Sequence, residues 1–515
     1  MPITRRSFIQ GAAASAFFLP LSLRARQSSL DPAVRIFRHG VASGDPLTDR
    51  VMLWSRVTAP PARSATGPIE VQWVVASDER LEKVVARGTA QAAPERDFTV
   101  KVDVGGLSPG RTYHYAFIAG GERSPVGRTK TLPERADRLR AASVSCANYP
   151  AGYFNAYRRL AEREELDVVI HLGDYIYEFA NGRYGDGTQT GRVPERPGEA
   201  STLEDYRDRY ATYRSDIDLQ EVHRLHPFIA VWDDHELAND AWSGGAGNHQ
   251  PSQGSWAARR AAAYRAYLEW MPIRESSDPD VHLYRSFRFA DLADLVMLDT
   301  RGLRDRQANG MDARTLADPA RSLLGSAQEA WFFDRLRASQ RAGTRWRLVG
   351  QQILFTPLSP PGFPVANPDV WDGYAPARDR VFDFLAGEKI TNLAILTGDI
   401  HSSWAIDVAR HPWTSGYDAA TGAGSVAVEL VAPAISSPPL FASAELRKGA
   451  YALRPLARHL KFLEGDHNGY VLLDVTRERI QADWYHIDTV AVRSEKESTA
   501  ASFVCENGSS RLAPA

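Results

Sequence analysis

Phe228-Ile229-Ala230-Val231-Trp232-Asp233-Asp234-His235-Glu236 runs five apolar residues straight into four ionisable ones. A short apolar run rich in β-branched and aromatic residues reads as a buried strand. The same grammar recurs along the chain. Ala141 to Val144 leads into Ser145-Cys146, and Val168-Val169-Ile170 leads into Gly173-Asp174. Leu295-Val296-Met297-Leu298 leads into Asp299, and Leu393-Ala394-Ile395-Leu396 leads into Gly398-Asp399. Near-continuous apolar strands are expected where both faces of a sheet are covered. Helical stretches at 153–165, 255–270 and 326–340 supply the cover. The pattern predicts an α/β fold from about residue 141, with no fixed-period repeat.

Upstream the pattern differs. Ile69 to Val75 and Phe98 to Val104 alternate at period two, and Leu107-Ser108-Pro109-Gly110 is a turn before Tyr113-His114-Tyr115. Short alternating strands with turn signals predict a small all-β sandwich over 34–133. Its Leu-x-Pro-Gly turn and Tyr-x-Tyr strand are similar to a fibronectin-type domain. The charged stretch 133–140 reads as a linker to a catalytic domain over 141–490, followed by a tail over 491–515.

The chain starts Thr4-Arg5-Arg6-Ser7-Phe8-Ile9, then carries an apolar run over 11–23 broken by Pro20. A charged start before a short apolar stretch is a signal-peptide layout, too short for a membrane span. The paired arginines resemble a twin-arginine (Tat) export signal over 1–25. The expectation is export through the Tat machinery to the periplasm or the extracellular space. No later run is long enough to span a bilayer. Among 515 residues, 43% are hydrophobic and 24% charged, ordinary for a globular protein of two or more domains. The net charge of −2 leaves no basic excess for a nucleic-acid backbone. Two cysteines, Cys146 and Cys505, cannot form a disulfide framework.

Ligands of open α/β sheets bind at the carboxyl ends of the strands. Four strands here end in Asp, Asn, His or Cys clusters. Any single cluster could be a helix cap or a strand-end turn; four together point to metal ligands. In order they are Ser145-Cys146-Ala147-Asn148, Gly173-Asp174-Tyr175-Ile176-Tyr177-Glu178, Trp232-Asp233-Asp234-His235-Glu236 and Gly398-Asp399-Ile400-His401-Ser402. This order resembles the binuclear metallophosphatase superfamily, and within it the PhoD-like alkaline phosphatases. Further support comes from Val41-Ala42-Ser43-Gly44-Asp45-Pro46, Leu53-Trp54-Ser55-Arg56, Leu298-Asp299-Thr300-Arg301 and Trp371-Asp372-Gly373-Tyr374. The resemblance covers nearly the whole chain. It implies a metallophosphatase-type β-sandwich core flanked by helices, preceded by the all-β domain.

The resemblance also assigns roles. Asp174 would bridge two ions. Cys146 as a thiolate, Tyr177 as a phenolate and His401 would complete the first site, which suits Fe³⁺. Asp234 and Asp399 would hold a second, harder ion, with Ca²⁺ favoured over Mg²⁺, Mn²⁺ or Zn²⁺. Asn148 would be an extra ligand or a phosphate contact. His235 would face the phosphate as general acid or charge stabiliser, with Glu236 orienting its ring. Arg301 would contact the substrate anion, and Trp371 to Tyr374 would wall the pocket. The implied reaction is hydrolysis of phosphomonoesters, phosphodiesters or both, in small or polymeric substrates, by a metal-activated hydroxide. Two alternatives stay open from sequence. One is a phospholipase-like or teichoic-acid phosphodiesterase; the other is an extracellular binding module in which the metals are structural.

Overall fold

All five apolar runs that end in polar clusters form strands. The computed structural model describes residues 36–58, 67–275, 283–360, 362–365, 367–442, 444–453 and 456–515. The expected export signal, 1–25, lies outside the described residues.

The first eight strands are β1 (Val41–Gly44), β2 (Val51–Arg56), β3 (Ile69–Ala76), β4 (Val84–Ala92), β5 (Thr99–Val104), β6 (Thr112–Ala119), β7 (Glu122–Arg123) and β8 (Gly127–Lys130). Then follow β9 (Arg138–Val144), β10 (Val168–His171), β11 (Pro227–Ala230), β12 (Arg285–Phe289), β13 (Ala293–Met297), β14 (Trp346–Gln351) and β15 (Leu393–Thr397). The last are β16 (Ser403–Ala409), β17 (Ser425–Val431), β18 (Leu460–Glu464), β19 (Gly469–Thr476), β20 (Arg479–Ile487), β21 (Glu497–Glu506) and β22 (Ala513–Pro514). The α-helices are α1 (Asn155–Ala161), α2 (Leu203–Arg214), α3 (Ile217–Leu225), α4 (Trp256–Trp270), α5 (Ala313–Leu316), α6 (Gly325–Arg341), α7 (Ala375–Gly387) and α8 (Ala444–Leu453).

Two large mixed sheets form the core. One runs β22-β21-β20-β19-β9-β10-β11-β1-β2-β5, the other β12-β13-β14-β15-β17-β16-β18. Each has a parallel centre, β9-β10-β11-β1 and β13-β14-β15-β17, flanked by antiparallel strands. Alternation of side chains on a strand sorts the second sheet's residues between two cores. Leu295, Leu348 and Leu396 pack with Val168 and Ile170 between the sheets. Their neighbours Val296, Val349 and Ile395 pack outward on Phe332 and Leu336 of α6 and Val381 and Phe382 of α7. This is the expected sandwich with helical cover.

The N-terminal all-β segment is built differently from a free-standing sandwich. Its own sheet is β4-β3-β6-β7, with β8 paired to β6. Its opposite layer is β1, β2 and β5, the edge of the first large sheet. Val71, Tyr115 and Phe117 pack there on Leu53, Val51 and Val100. β1 joins β11 in parallel, Gly44 opposite Phe228. A Cβ on Gly44 would lie 2.3 Å from Pro272 O, so only glycine fits this junction. One sheet therefore crosses the stretch read as a linker. The stretch read as a tail, 491–515, carries β21 and β22, which complete the same sheet because β20 would otherwise leave its edge open.

The carboxyl ends of β9, β10, β11, β13 and β15 face one end of the sandwich. There the sheets converge. Ser145 bridges Ala434 in parallel, and a Cβ on Gly398 would lie 2.8 Å from Ser145 Cβ.

Candidate metal centre

Four of the residues singled out from sequence bend sharply just past their strands. Cys146, Asp174, Asp399 and His401 have φ of 61°, 54°, 61° and 52°. This left-handed region is costly for non-glycine residues and clusters at functional sites. It lets each chain double back at the strand end and aim a side chain inward. Hydrogen bonds hold the turns. Cys146 N donates to Gly173 O at 3.1 Å, and the N–H groups of Ser436 and Ser437 donate to Cys146 O.

Asp174 is the meeting point. One of its oxygens lies with Cys146 Sγ and a His401 nitrogen, all within 4.8 Å of one another. Asp174 also groups within 4.8 Å with Asp234 and His235. Tyr177 Oη donates to Asp174 Oδ2 at 2.9 Å and lies 3.1 Å from His401 Nε2. His401 Nδ1 donates to Pro438 O at 3.0 Å, which leaves the Nε2 lone pair turned inward. Burial drops this histidine to about 4, so it is neutral and able to ligate.

Other groups show the strain of crowded, desolvated anions. Burial pushes the Cys146 thiol and the Tyr177 phenol up, and the Asp174 carboxylate adds to both. Burial also raises Asp174 itself, and lifts Asp399 to about 7. The buried Oδ1 of Asn148 has no hydrogen-bond partner, while its amide nitrogen donates to Tyr184 O. A buried carbonyl oxygen without a donor, set beside crowded carboxylates, a thiol and a phenol, is a donor set that suits cations. The residues fit a metal centre.

Three expected roles differ in the structure. Glu236 does not orient His235. Its carboxylate accepts the backbone N–H groups of Asp174, Tyr175 and Asp233, at 3.1, 2.6 and 2.8 Å. It ties two strand-end turns together, because its side chain points back under them. The residue on His235 is Glu178, whose Oε2 lies 2.7 Å from Nδ1. Glu178 is fully buried and also accepts from Asn239 N and Asn248 Nδ2. Burial opposes protonation of His235, but Asp174, Asp234 and Glu178 outweigh it and push the imidazole well up. The ring lies 4.2 Å from that of Tyr177, tilted by 31°, and edge-on to Phe179.

Arg301 does not hold a free anion contact. It is buried, and its guanidinium is committed to Asp233, to Asp369 at 2.6 Å and to Asp399 at 2.7 Å. Asp234 lies 3.7 Å away. Asp399 is thus brought beside the second cluster through this arginine. Trp371–Tyr374 is buried structure, with Trp371 Nε1 on Gln351 and Tyr374 Oη on Asp305 O, and does not wall the site. Its upstream neighbour Asp369 reaches the centre instead, shared between Arg301 and Arg304. Sequence reasoning missed Glu178, Tyr184 and Asp369. Glu178 stood inside a quoted motif; Asp369 follows no strand and carried no signal.

Hydrolysis assisted by metal ions is the chemistry to which such a strand-end cluster lends itself, and comparison with known proteins gives its lineage. Residues 141–484 match the PhoD-like phosphatase family, and 24–133 match the PhoD-like phosphatase N-terminal domain. The chain belongs to the PhoD-like phosphatase family. It is 38% identical over 539 residues to alkaline phosphatase D of Bacillus subtilis (strain 168), covering 99% of this chain and 88% of that one. A solved structure of PhoD is 36% identical, with a TM-score of 0.84, and covers 93% of this chain and 92% of that one. The chain is a phosphatase, a hydrolase of phosphate esters. Among the described residues no helix is long and apolar enough to cross a membrane.

Proposed function

We propose that the enzyme is an exported phosphatase working at a two-cation centre bridged by Asp174. The observation that carries the reading is Asp174 belonging to both ligand clusters at once. Cys146, Tyr177 and His401 would hold the first ion with Asp174. A thiolate and a phenolate favour a trivalent iron there. Asp234 and Asp399 would hold the second with Asp174, and Asn148 Oδ1 would supply a further oxygen. An all-oxygen set favours Ca²⁺ or a similar hard ion. Bound there, the two ions would supply Lewis acidity toward the phosphate ester and activate water for its attack.

The protein's own groups do the rest. Arg301 fixes Asp399 and Asp233 in place and keeps like-charged carboxylates from splaying apart. Glu178 accepts a hydrogen bond from Nδ1–H of His235 and so sets the direction of Nε2, which lies 3.9 Å from Asp234. From that position Nε2 donates a proton to the leaving oxygen of the ester. The Tyr177 and Phe179 rings hold the imidazole plane. Export by the Tat route is the proposed fate of the folded chain, from the Arg5-Arg6 motif.

Elemental analysis of the native protein, with Asp174→Asn beside it, tests the centre. Iron plus a hard divalent ion is expected in the wild type. Metal content and activity should fall together in Asp174→Asn. Stoichiometric zinc with neither iron nor calcium, or full metal content in the variant, rejects the assignment.

A further inference from the structure

A second group of ligand-type side chains lies outside this centre. Glu464, His467 and His486 each bring one donor atom within 4.8 Å of the others. Glu464 ends β18 in one large sheet, His486 sits on β20 in the other, and His467 lies in the turn that joins β18 to β19. His467 Nδ1 is 3.0 Å from Glu464 Oε1, and His486 Nε2 is 3.5 Å from Oε2. Ligand atoms about 2.0–2.1 Å from a tetrahedral zinc lie about 3.3 Å apart, so these spacings need little change to close on an ion. The imidazoles are stacked, with centroids 5.1 Å apart and planes 10° apart.

Two observations point to a ligand. Glu464 Oε2 is buried and has no hydrogen-bond partner, while Oε1 already accepts from Asp466 N and His467. His486 is 5% exposed, and its Nε2 lies 3.5 Å from that unpartnered oxygen. Ser403 Oγ, 2.9 Å from the same Nε2, is the group an ion would displace. The adjacent Asp466 is held by Arg447 and does not compete.

We propose that Glu464, His467 and His486 form a structural site for a zinc-class divalent cation that clamps the two sheets together. Two imidazoles and one carboxylate are a zinc-type set, and water from the half-exposed His467 side completes four-coordination. Ser403 pairs with Glu464 across the sheet and follows His401 by two residues.

The test is zinc uptake by the holoenzyme. Wild type, His467→Ala and Glu464→Gln are dialysed against excess zinc, washed, and their total zinc per chain is measured. Wild type should hold one equivalent more than either variant, with equal iron in all three. Cobalt in place of zinc should give a visible tetrahedral band in the wild type alone. His467 sits on an exposed turn, so its variant should keep the fold, checked by circular dichroism and phosphatase activity. Equal zinc in wild type and both variants overturns the proposal and leaves a hydrogen-bonded cluster only.

Discussion

Replacing Glu178 by Gln tests the chemistry of His235 while leaving the metal ligands intact. The side chain keeps its shape. Its carbonyl oxygen stays with Asn239 N and Asn248 Nδ2, both donors. Its amide then faces His235 Nδ1, donor against donor, in place of the 2.7 Å contact to a carboxylate oxygen. The protonated imidazole is therefore disfavoured. A hydrogen bond to a charged group is worth about 1.5–3 kcal/mol, which is about 1–2 pKa units. The sign follows from the raised pKa of His235: its acid form persists below that pKa and is lost as pH rises through it. Removing Glu178's charge lowers the pKa, so the alkaline limb of kcat should move down by about 1–2 pH units. At a fixed pH above the new limb, kcat should fall about 10–100-fold for alkyl phosphates and less for nitrophenyl phosphate, whose leaving group needs little protonation. His235→Ala sets the ceiling, about 10²–10⁴-fold. Metal content, measured in parallel, should not change. Glu236→Gln is the contrast, since Glu236 carries backbone N–H groups of two ligand loops. It should lower metal content and leave the pH limb in place. An unshifted limb and full rate in Glu178→Gln, with metals intact, would refute the reasoning.

Three further outcomes are expected. Native protein should show a phenolate- or thiolate-to-iron absorption band. Tyr177→Phe should remove the first and Cys146→Ser the second; unchanged spectra in both would take these residues off the iron. Arg301→Met strands Asp233 and Asp399 without their cation and leaves Asp369 to Arg304 alone. Breaking a buried ionic cluster this way costs about 3–5 kcal/mol, read as a lower denaturant midpoint of metal-stripped protein; an unchanged midpoint would mean the cluster contributes nothing. Arg5→Lys with Arg6→Lys should retain active enzyme in the cytoplasm, and normal delivery outside the cell would reject the twin-arginine reading.

Much of the site was legible because strand ends are local. An apolar run fixes where a strand stops, and the next few residues must lie at the sheet's carboxyl edge. That is why Cys146, Asp174, Tyr177, Asp234 and His401 were found together. Side-chain direction was not legible. Glu236 adjoins His235 in sequence, yet a turn sends it to the backbone, and Glu178 arrives from another loop. Arg301 read as an open cation because its three carboxylate partners come from three distant loops. Asp369 lies on a segment without periodicity. The fusion of the N-terminal layer to the main sheet was hidden for the same reason. Pairing of β1 with β11 is a long-range event, and nothing in Val41 to Gly44 announces its partner.

The position of β19 has a consequence for the order of synthesis. This strand lies against β9, with Val471 opposite Ser143, so residues from opposite ends of the catalytic region are neighbours. A ribosome emits Cys146 long before it emits His401, whose ring lies beside the thiol, or Ser436 and Ser437, whose N–H groups bond to its carbonyl. During that interval Cys146 is uncovered and open to oxidation. A reducing compartment makes the wait harmless, and an oxidising one would put the proposed metal ligand at risk before it had an ion to bind. A route that moves the chain only after it is complete keeps the thiol intact until the last strands have arrived.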